Sequence, residues 1–157
     1  MTSGHPYKSV AKRTITIAAS VLAIDAISKV AARLLAARDY GHGIILPIQN
    51  PDFSLGLASA PHPTMLILST VGIVLFGSYT AWAVTRRAVP AWVPGLLIGG
   101  AAGNLSDRVL FGAVHDWLDL GRVIINLADV SVLVGLLAFG ASLALSKHRR
   151  SSLLRTS

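Results

Sequence analysis

Two aspartates, Asp116 and Asp129, bracket the stretch DWLDLGRVIINLAD, and the second leads straight into the apolar run VSVLVGLLAFGASLAL. Two carboxylates brought close cannot both ionise. One keeps a proton, the other stays a base, and a water between them can be activated. That is acid–base hydrolysis, and it requires no cysteine, serine nucleophile or metal. An aspartate carried to mid-bilayer costs roughly 2.5 kcal/mol or more. Asp129 has no lysine or arginine within a turn on its own segment, so its partner must come from elsewhere. A separation of thirteen residues does not place the two acids on one helix face. The segment WLDLGRVIIN has to fold back to bring them together, and Gly121 could permit that.

Other polar residues gather at the same depth. Asp25 and Lys29 lie one helical turn apart, Asn104, Asp107 and Arg108 share a face, and so do Asn126 and Asp129. Each has a plainer reading. Asp25 with Lys29 reads as an intrahelical pair, Asn104 as a helix–helix hydrogen-bond donor, and Asp107 with Arg108 as an ion pair at a helix end. Gly95, Gly99 and Gly103 read as a small-residue packing ridge. His115 and Asp119 are expected in solvent. Asp107 is the obvious rival partner for Asp129, but Arg108 beside it favours its charged form, which suits a proton-sharing pair poorly. Asp116 has no lysine or arginine within five residues.

These residues must be positioned by membrane helices. The chain has 157 residues, 53% apolar and only 13% charged, with mean hydropathy +0.63. A soluble domain carries about 25% charged residues. Four runs are long and apolar enough to cross a bilayer, at about 14–37, 63–85, 88–106 and 123–146. The expected fold is therefore all-α: one four-helix membrane domain over 1–157, with outer segments at about 38–62 and 107–122. The net charge of +7 sits in clusters beside the apolar runs: Lys8, Lys12 and Arg13, then Arg86 and Arg87, then Lys147, Arg149, Arg150 and Arg155. These read as topology signals placing both termini in the cytoplasm, not as a nucleic-acid surface. The first run holds internal charges and no soluble domain follows it, so it is expected to be a span, not a cleaved signal peptide. Trp82 and Trp92 then fall near the inner interface. The segment 38–62 is expected to form a small sheet or flap. GAVHDWLDLGRV is read as a hairpin, a short amphipathic piece or a plain loop, with Trp117 and Leu118 able to dip into the interface. Cysteine is absent, and His5, His42, His62 and His148 show no ligand spacing, so no metal or cofactor is expected.

DAISK at 25–29, GNLSDR at 103–108, VHDW at 114–117 and NLAD at 126–129, in this order on four spans, resemble the bacterial lipoprotein signal peptidase (signal peptidase II) family. The resemblance implies an aspartyl endopeptidase of the bacterial cytoplasmic membrane, with its site near the outer face. Its substrate would be a prolipoprotein, cut just before a diacylglyceryl-modified cysteine. Carried over residue by residue, Asp116 and Asp129 would be catalytic. Asn104, Arg108 and Asn126 would hold substrate, as would Asn50 and Phe53 of the outer segment. Asp25, Lys29 and Asp107 would support the site. The implied partners are the lipidated prolipoprotein, membrane lipid and the family's cyclic peptide inhibitors. One departure is QNPDFSLG, where Asn50 lies closer to Phe53 than the family pattern has it and Pro51 and Asp52 replace small residues. The loop between the two acids is also short for the family.

Two other classes compete. A lipid-headgroup transferase would pair aspartates with Gly and Ala-Arg at fixed spacing to hold a divalent metal, and no such spacing occurs. A small ion-coupled carrier would spread polar residues through the membrane depth, whereas this chain concentrates them at one end.

Overall fold

The computed structural model describes residues 6–38, 43–51 and 61–153. Seven elements follow one another: α1 (Pro6–Ala37), β1 (Ile45–Asn50), α2 (His62–Thr85), α3 (Trp92–Phe111), β2 (Val114–Asp119), β3 (Ile124–Ile125) and α4 (Leu127–Leu153). Lys8–Ala37, His62–Thr85 and Leu127–Ser146 are long and apolar enough to cross a membrane. Their outward faces carry exposed Ile27, Val30, Leu34, Ile67, Leu75, Leu133 and Leu137, as lipid-facing surfaces do. α3 is different. Within 20 residues it holds Gly95, Gly99, Gly100, Gly103, Asn104, Asp107 and Arg108, and it packs against α1, α2 and α4. The architecture is thus mostly helical, with three candidate membrane-crossing helices and a small antiparallel sheet.

Among the boundaries that depart from the sequence reading, two bear on the site. α3 runs on to Phe111, past the apolar stretch 88–106, so Asp107 and Arg108 lie on the helix itself. α4 starts only at Leu127, because Ile124 and Ile125, β-branched, form β3 instead. The stretch 114–125 is a hairpin: β2 pairs with β3, Gly121 turns the chain at φ +84, and β1 adds on the other side in the order β1-β2-β3. Ile48 faces Asp116 and Asn50 faces Val114 across the β1–β2 ladder.

The end of the bundle away from the sheet is sealed by Ala83, Val84, Val89, Val93, Leu97 and Phe139. There Phe139 of α4 meets Phe76 and Tyr79 of α2 edge-on, at 5.4 and 5.8 Å between ring centroids. Trp82 and Trp92 are partly exposed at this end, and Arg86 lies 5.3 Å over the Trp82 ring. Helices in lipid gain little from burying apolar surface against each other, so close backbone approach matters more. The glycine ridge supplies it. A Cβ on Gly99 would stand 2.6 Å from the Ala18 carbonyl oxygen, and one on Gly100 2.5 Å from that of Ala128.

Gly99→Ala must therefore push α3 off α1, while Gly140, with nothing within 4 Å of an added Cβ, can accept one. Thermal unfolding in detergent should show Gly99→Ala destabilised by about 1–3 kcal/mol. Gly140→Ala should be unchanged, or gain up to about 1 kcal/mol from helix propensity. Equal tolerance at both positions would refute the close packing.

Candidate active site

The site is built on the N-terminus of α4. Its first N–H groups have no partner within the helix. Asn126, just before α4, accepts the Asp129 N–H on its side-chain oxygen at 2.9 Å. Asp129 reaches back, its Oδ2 accepting the Asn126 N–H at 3.2 Å. This reciprocal arrangement is a capping box with Asn and Asp in the two roles. Ala128 N–H goes to Asp25 Oδ1 of α1 at 2.9 Å. The acid at the head of the apolar run is therefore part of the helix cap.

The Asn126 amide nitrogen then points away from α4. It donates to Asp116 Oδ1 at 2.6 Å and to Asn104 Oδ1 at 3.0 Å. Asn104 turns its own nitrogen to Asp129 Oδ1 at 2.7 Å. Asn126 thus holds both acids, and Asn104 closes the circuit. On the far side of Asp116, Asn50 of β1 donates to Oδ2 at 2.9 Å. Alternation along β2 sends the flanking residues the other way: Trp117 Nε1 donates to Ser28 of α1 at 3.2 Å, and the His115 ring meets Phe111.

Lys29 anchors the opposite side. Its ammonium lies 2.6 Å from Asp25 and 2.9 Å from Asp107, and it donates to Asn104 Oδ1 at 3.5 Å. The expected Asp25–Lys29 pair is present but forms one part of a larger cluster. Asp107 does not rely on Arg108 as expected. Successive helical residues point in different directions, so Asp107 meets Lys29 and also takes the His115 N–H at 2.9 Å. Arg108 turns to the Asn104 carbonyl at 3.3 Å and lines the groove described below. His115 was expected in solvent but is buried, with Nδ1 3.4 Å from Asp107. Asp119, also expected in solvent, is half-buried and accepts the Gly121 N–H at 2.7 Å. Trp117 is half-buried and reaches α1 through Ser28. Phe53 lies outside the described residues.

Asp116, Asp129, Asn104, Arg108 and Asn50 form the polar mouth of a groove of about 460 Å³. Below them it is apolar, walled by Leu68, Ile73 and Phe76 of α2, Leu97, Ile98 and Ala101 of α3, and Val132, Leu133 and Leu136 of α4. The apolar walls and the role of His115 were not singled out from sequence; the helical spacing of the wall residues was the available signal.

Burial and the nearby Asp129 charge raise the Asp116 pKa above the ordinary carboxylate value, outweighing its amide hydrogen bonds. Burial, with Arg33 close by, lowers that of His115. One acid disposed to hold a proton sits beside a second acid, at the mouth of an apolar groove in a helical membrane scaffold. That arrangement is the one two-carboxylate hydrolysis requires.

Comparison with known proteins agrees. Residues 17–145 match the family model described as signal peptidase (SPase) II. The lipoprotein signal peptidase of Pelotomaculum thermopropionicum is 33% identical over 129 residues, covering 76% of this chain and 83% of that protein. That of Anaplasma phagocytophilum is 33% identical over 146 residues, covering 85% and 90%. A bacterial membrane enzyme solved in meso at 2.3 Å shares the fold, with TM-score 0.69 at 24% identity over 85% of this chain and 88% of that one. The chain belongs to the signal peptidase II family of aspartic-type peptidases, which remove signal peptides from prolipoproteins, and it is a multi-pass membrane protein.

The direction of the Asp116 shift makes a prediction. A folded-state pKa above the unfolded value means that the favourable term is full below the unfolded pKa and is lost as pH rises through the folded one. Asp116→Asn carries no such loss. It should unfold at a higher temperature than the parent protein at neutral pH, and the gap should shrink as pH falls toward the ordinary carboxylate range. A gap that widens on acidification would contradict the assigned direction.

Proposed function

We propose that the chain is a lipoprotein signal peptidase of the bacterial cytoplasmic membrane, crossing the bilayer four times with both termini inside. It cuts prolipoproteins just before a diacylglyceryl-modified cysteine. The observation that carries this reading is Asn126, which ties Asp116 and Asp129 together at the polar mouth of an apolar groove. α3 serves as the fourth span: its 20 residues match the roughly 20 a bilayer requires, and Asp107 and Arg108 are buried within the bundle. The Arg86–Arg87 turn lies at the end away from the sheet, so the positive-inside rule puts the aspartates at the outer face.

In the reaction Asp116 holds the proton and Asp129 is the base. Asp129 takes a proton from water, whose oxygen attacks the scissile carbonyl carbon while Asp116 protonates the carbonyl oxygen. The tetrahedral species collapses, the C–N bond breaks, the hydroxyl proton returns to Asp116 and Asp129 delivers its proton to the leaving amine. Asn50, donating to Asp116 Oδ2 at 2.9 Å, orients that acid from β1. Asn104, Arg108 and Asn126 hold the substrate backbone, and Phe53 is assigned to substrate from the sequence alone. Asp25, Lys29 and Asp107 keep the frame. The apolar walls take acyl chains at about 0.8 kcal/mol per buried CH₂.

Two experiments test this. Asp116→Asn and Asp129→Asn should each cut turnover by at least about 10²-fold while still folding, and Asp107→Asn should lose stability yet keep measurable cleavage. A well-folded, inactive Asp107→Asn beside an active Asp116→Asn would replace the pair. Separately, a diacylglyceryl-modified prolipoprotein peptide should be cleaved far faster than its unlipidated form, and equal rates would reject lipid recognition.

A further inference from the structure

Asn50 borders two spaces. On one side it donates to Asp116 at the mouth of the groove. On the other it lines an open hollow of about 370 Å³ between β1 and the β2–β3 turn, shared with Ile48, Asp119, Arg122, Val123 and Ile124. The hollow therefore adjoins the candidate active site, with Asn50 in the wall of both, and none of the hydrolytic steps uses it. Its two charged residues are not equivalent. The Asp119 carboxylate is engaged with the Gly121 N–H. Arg122 is exposed and makes no hydrogen bond or ion pair among the described residues; Gly121, at φ +84, sets the turn that presents it.

Resting on the function proposed above, we propose that this hollow binds the polypeptide that follows the lipidated cysteine, and that Arg122 makes it favour acidic residues there. A substrate cut at the aspartates has two arms. The signal peptide is apolar and remains with the lipid side of the groove. The other arm is polar chain that must leave toward water, and it passes whatever polar space adjoins the site. Two polar spaces border Asp116 or its partner Asn50. The one on the α1 side of Asp116 is about 130 Å³; Lys29, His115 and Trp117 on its border already face Asp25, Asp107 and Ser28, and Arg33 there lies over the Phe111 ring. At about 30 Å³ per water it holds a few solvent molecules and no extended peptide. The hollow beside Asn50 falls in the ~300–1,000 Å³ range of ligand sites. Its unengaged charge is positive, so it complements a carboxylate and opposes a lysine.

The test uses full-length protein in detergent and two diacylglyceryl-modified peptides with the same signal side. They carry Asp-Asp or Lys-Lys at the second and third positions counted from the cysteine. The parent protein should prefer the Asp-Asp peptide by about two- to fivefold in kcat/KM, the scale of exposed ion pairs, and salt should erode the preference. Arg122→Ala should abolish it and Arg122→Glu should invert it, with rates on a peptide neutral at these positions unchanged. Should the charge-reversed protein fail to fold, Arg122→Ala still decides the matter. The same Asp-Asp to Lys-Lys ratio in parent and Arg122 variants would overturn the assignment. If the parent protein cleaves neither lipidated peptide, the peptidase reading itself fails and this inference falls with it.

Discussion

Lys29 is a charge buried between helices, and everything around the aspartates depends on how it is neutralised. A buried ammonium is tolerated only when paired and hydrogen-bonded. Asp25 supplies one partner from the same helix, and Asp107 and Asn104 supply two from α3. The contact therefore fixes the rotation of α3 against α1 where Gly99 and Gly103 bring the backbones together. Asp25 spends its second oxygen on the Ala128 N–H, so the same cluster also fixes the start of α4. Three helices are registered by one cation before any catalytic side chain enters.

The orientation of the site amides follows from that cation. Asn104 Oδ1 faces both Lys29 Nζ and Asn126 Nδ2, so its own nitrogen has to point at Asp129. Asn126 commits its oxygen to the α4 cap, so its nitrogen has to point at Asp116. Neither amide can flip without losing at least two partners. The carboxylates are thus held by donors that helix capping and charge burial have already oriented, which is the meaning of preorganisation at an acid–base site.

Much of this was legible in the chain. An aspartate ahead of an apolar run with no cation near it on its own segment marks an acid that needs help from elsewhere. The i, i+4 relation of Asp25 and Lys29 and the spaced glycines of α3 are local patterns and could be read directly. What could not be read required a partner distant in sequence. Asp107 was assigned to its neighbour Arg108, whereas its partner is Lys29, on another helix. The burial of His115 follows from strand alternation opposite Asp116, and that alternation is visible only once 114–119 is known to be a strand. The start of α4 was placed early because Val123, Ile124 and Ile125 are as apolar as the helix they precede, and composition does not distinguish a short strand from a helix turn.

The frame made by α1, α3 and α4 leaves α2 with a different task. α2 is tied to α3 by a contact of 2.9 Å between His62 Nε2 and the Arg108 carbonyl, and it meets α4 through the aromatic cluster at Phe139. Between these two points the helices are held apart, and the space between them is the groove. An opening bounded by a fixed polar end and a fixed aromatic end can admit an apolar chain from the side without disturbing the aspartates, because none of the bonds that orient them comes from α2. β1 reaches Asp116 through Asn50. The groove walls and the bonds that hold the two carboxylates are therefore carried by separate parts of the fold, with Asn50 bordering both.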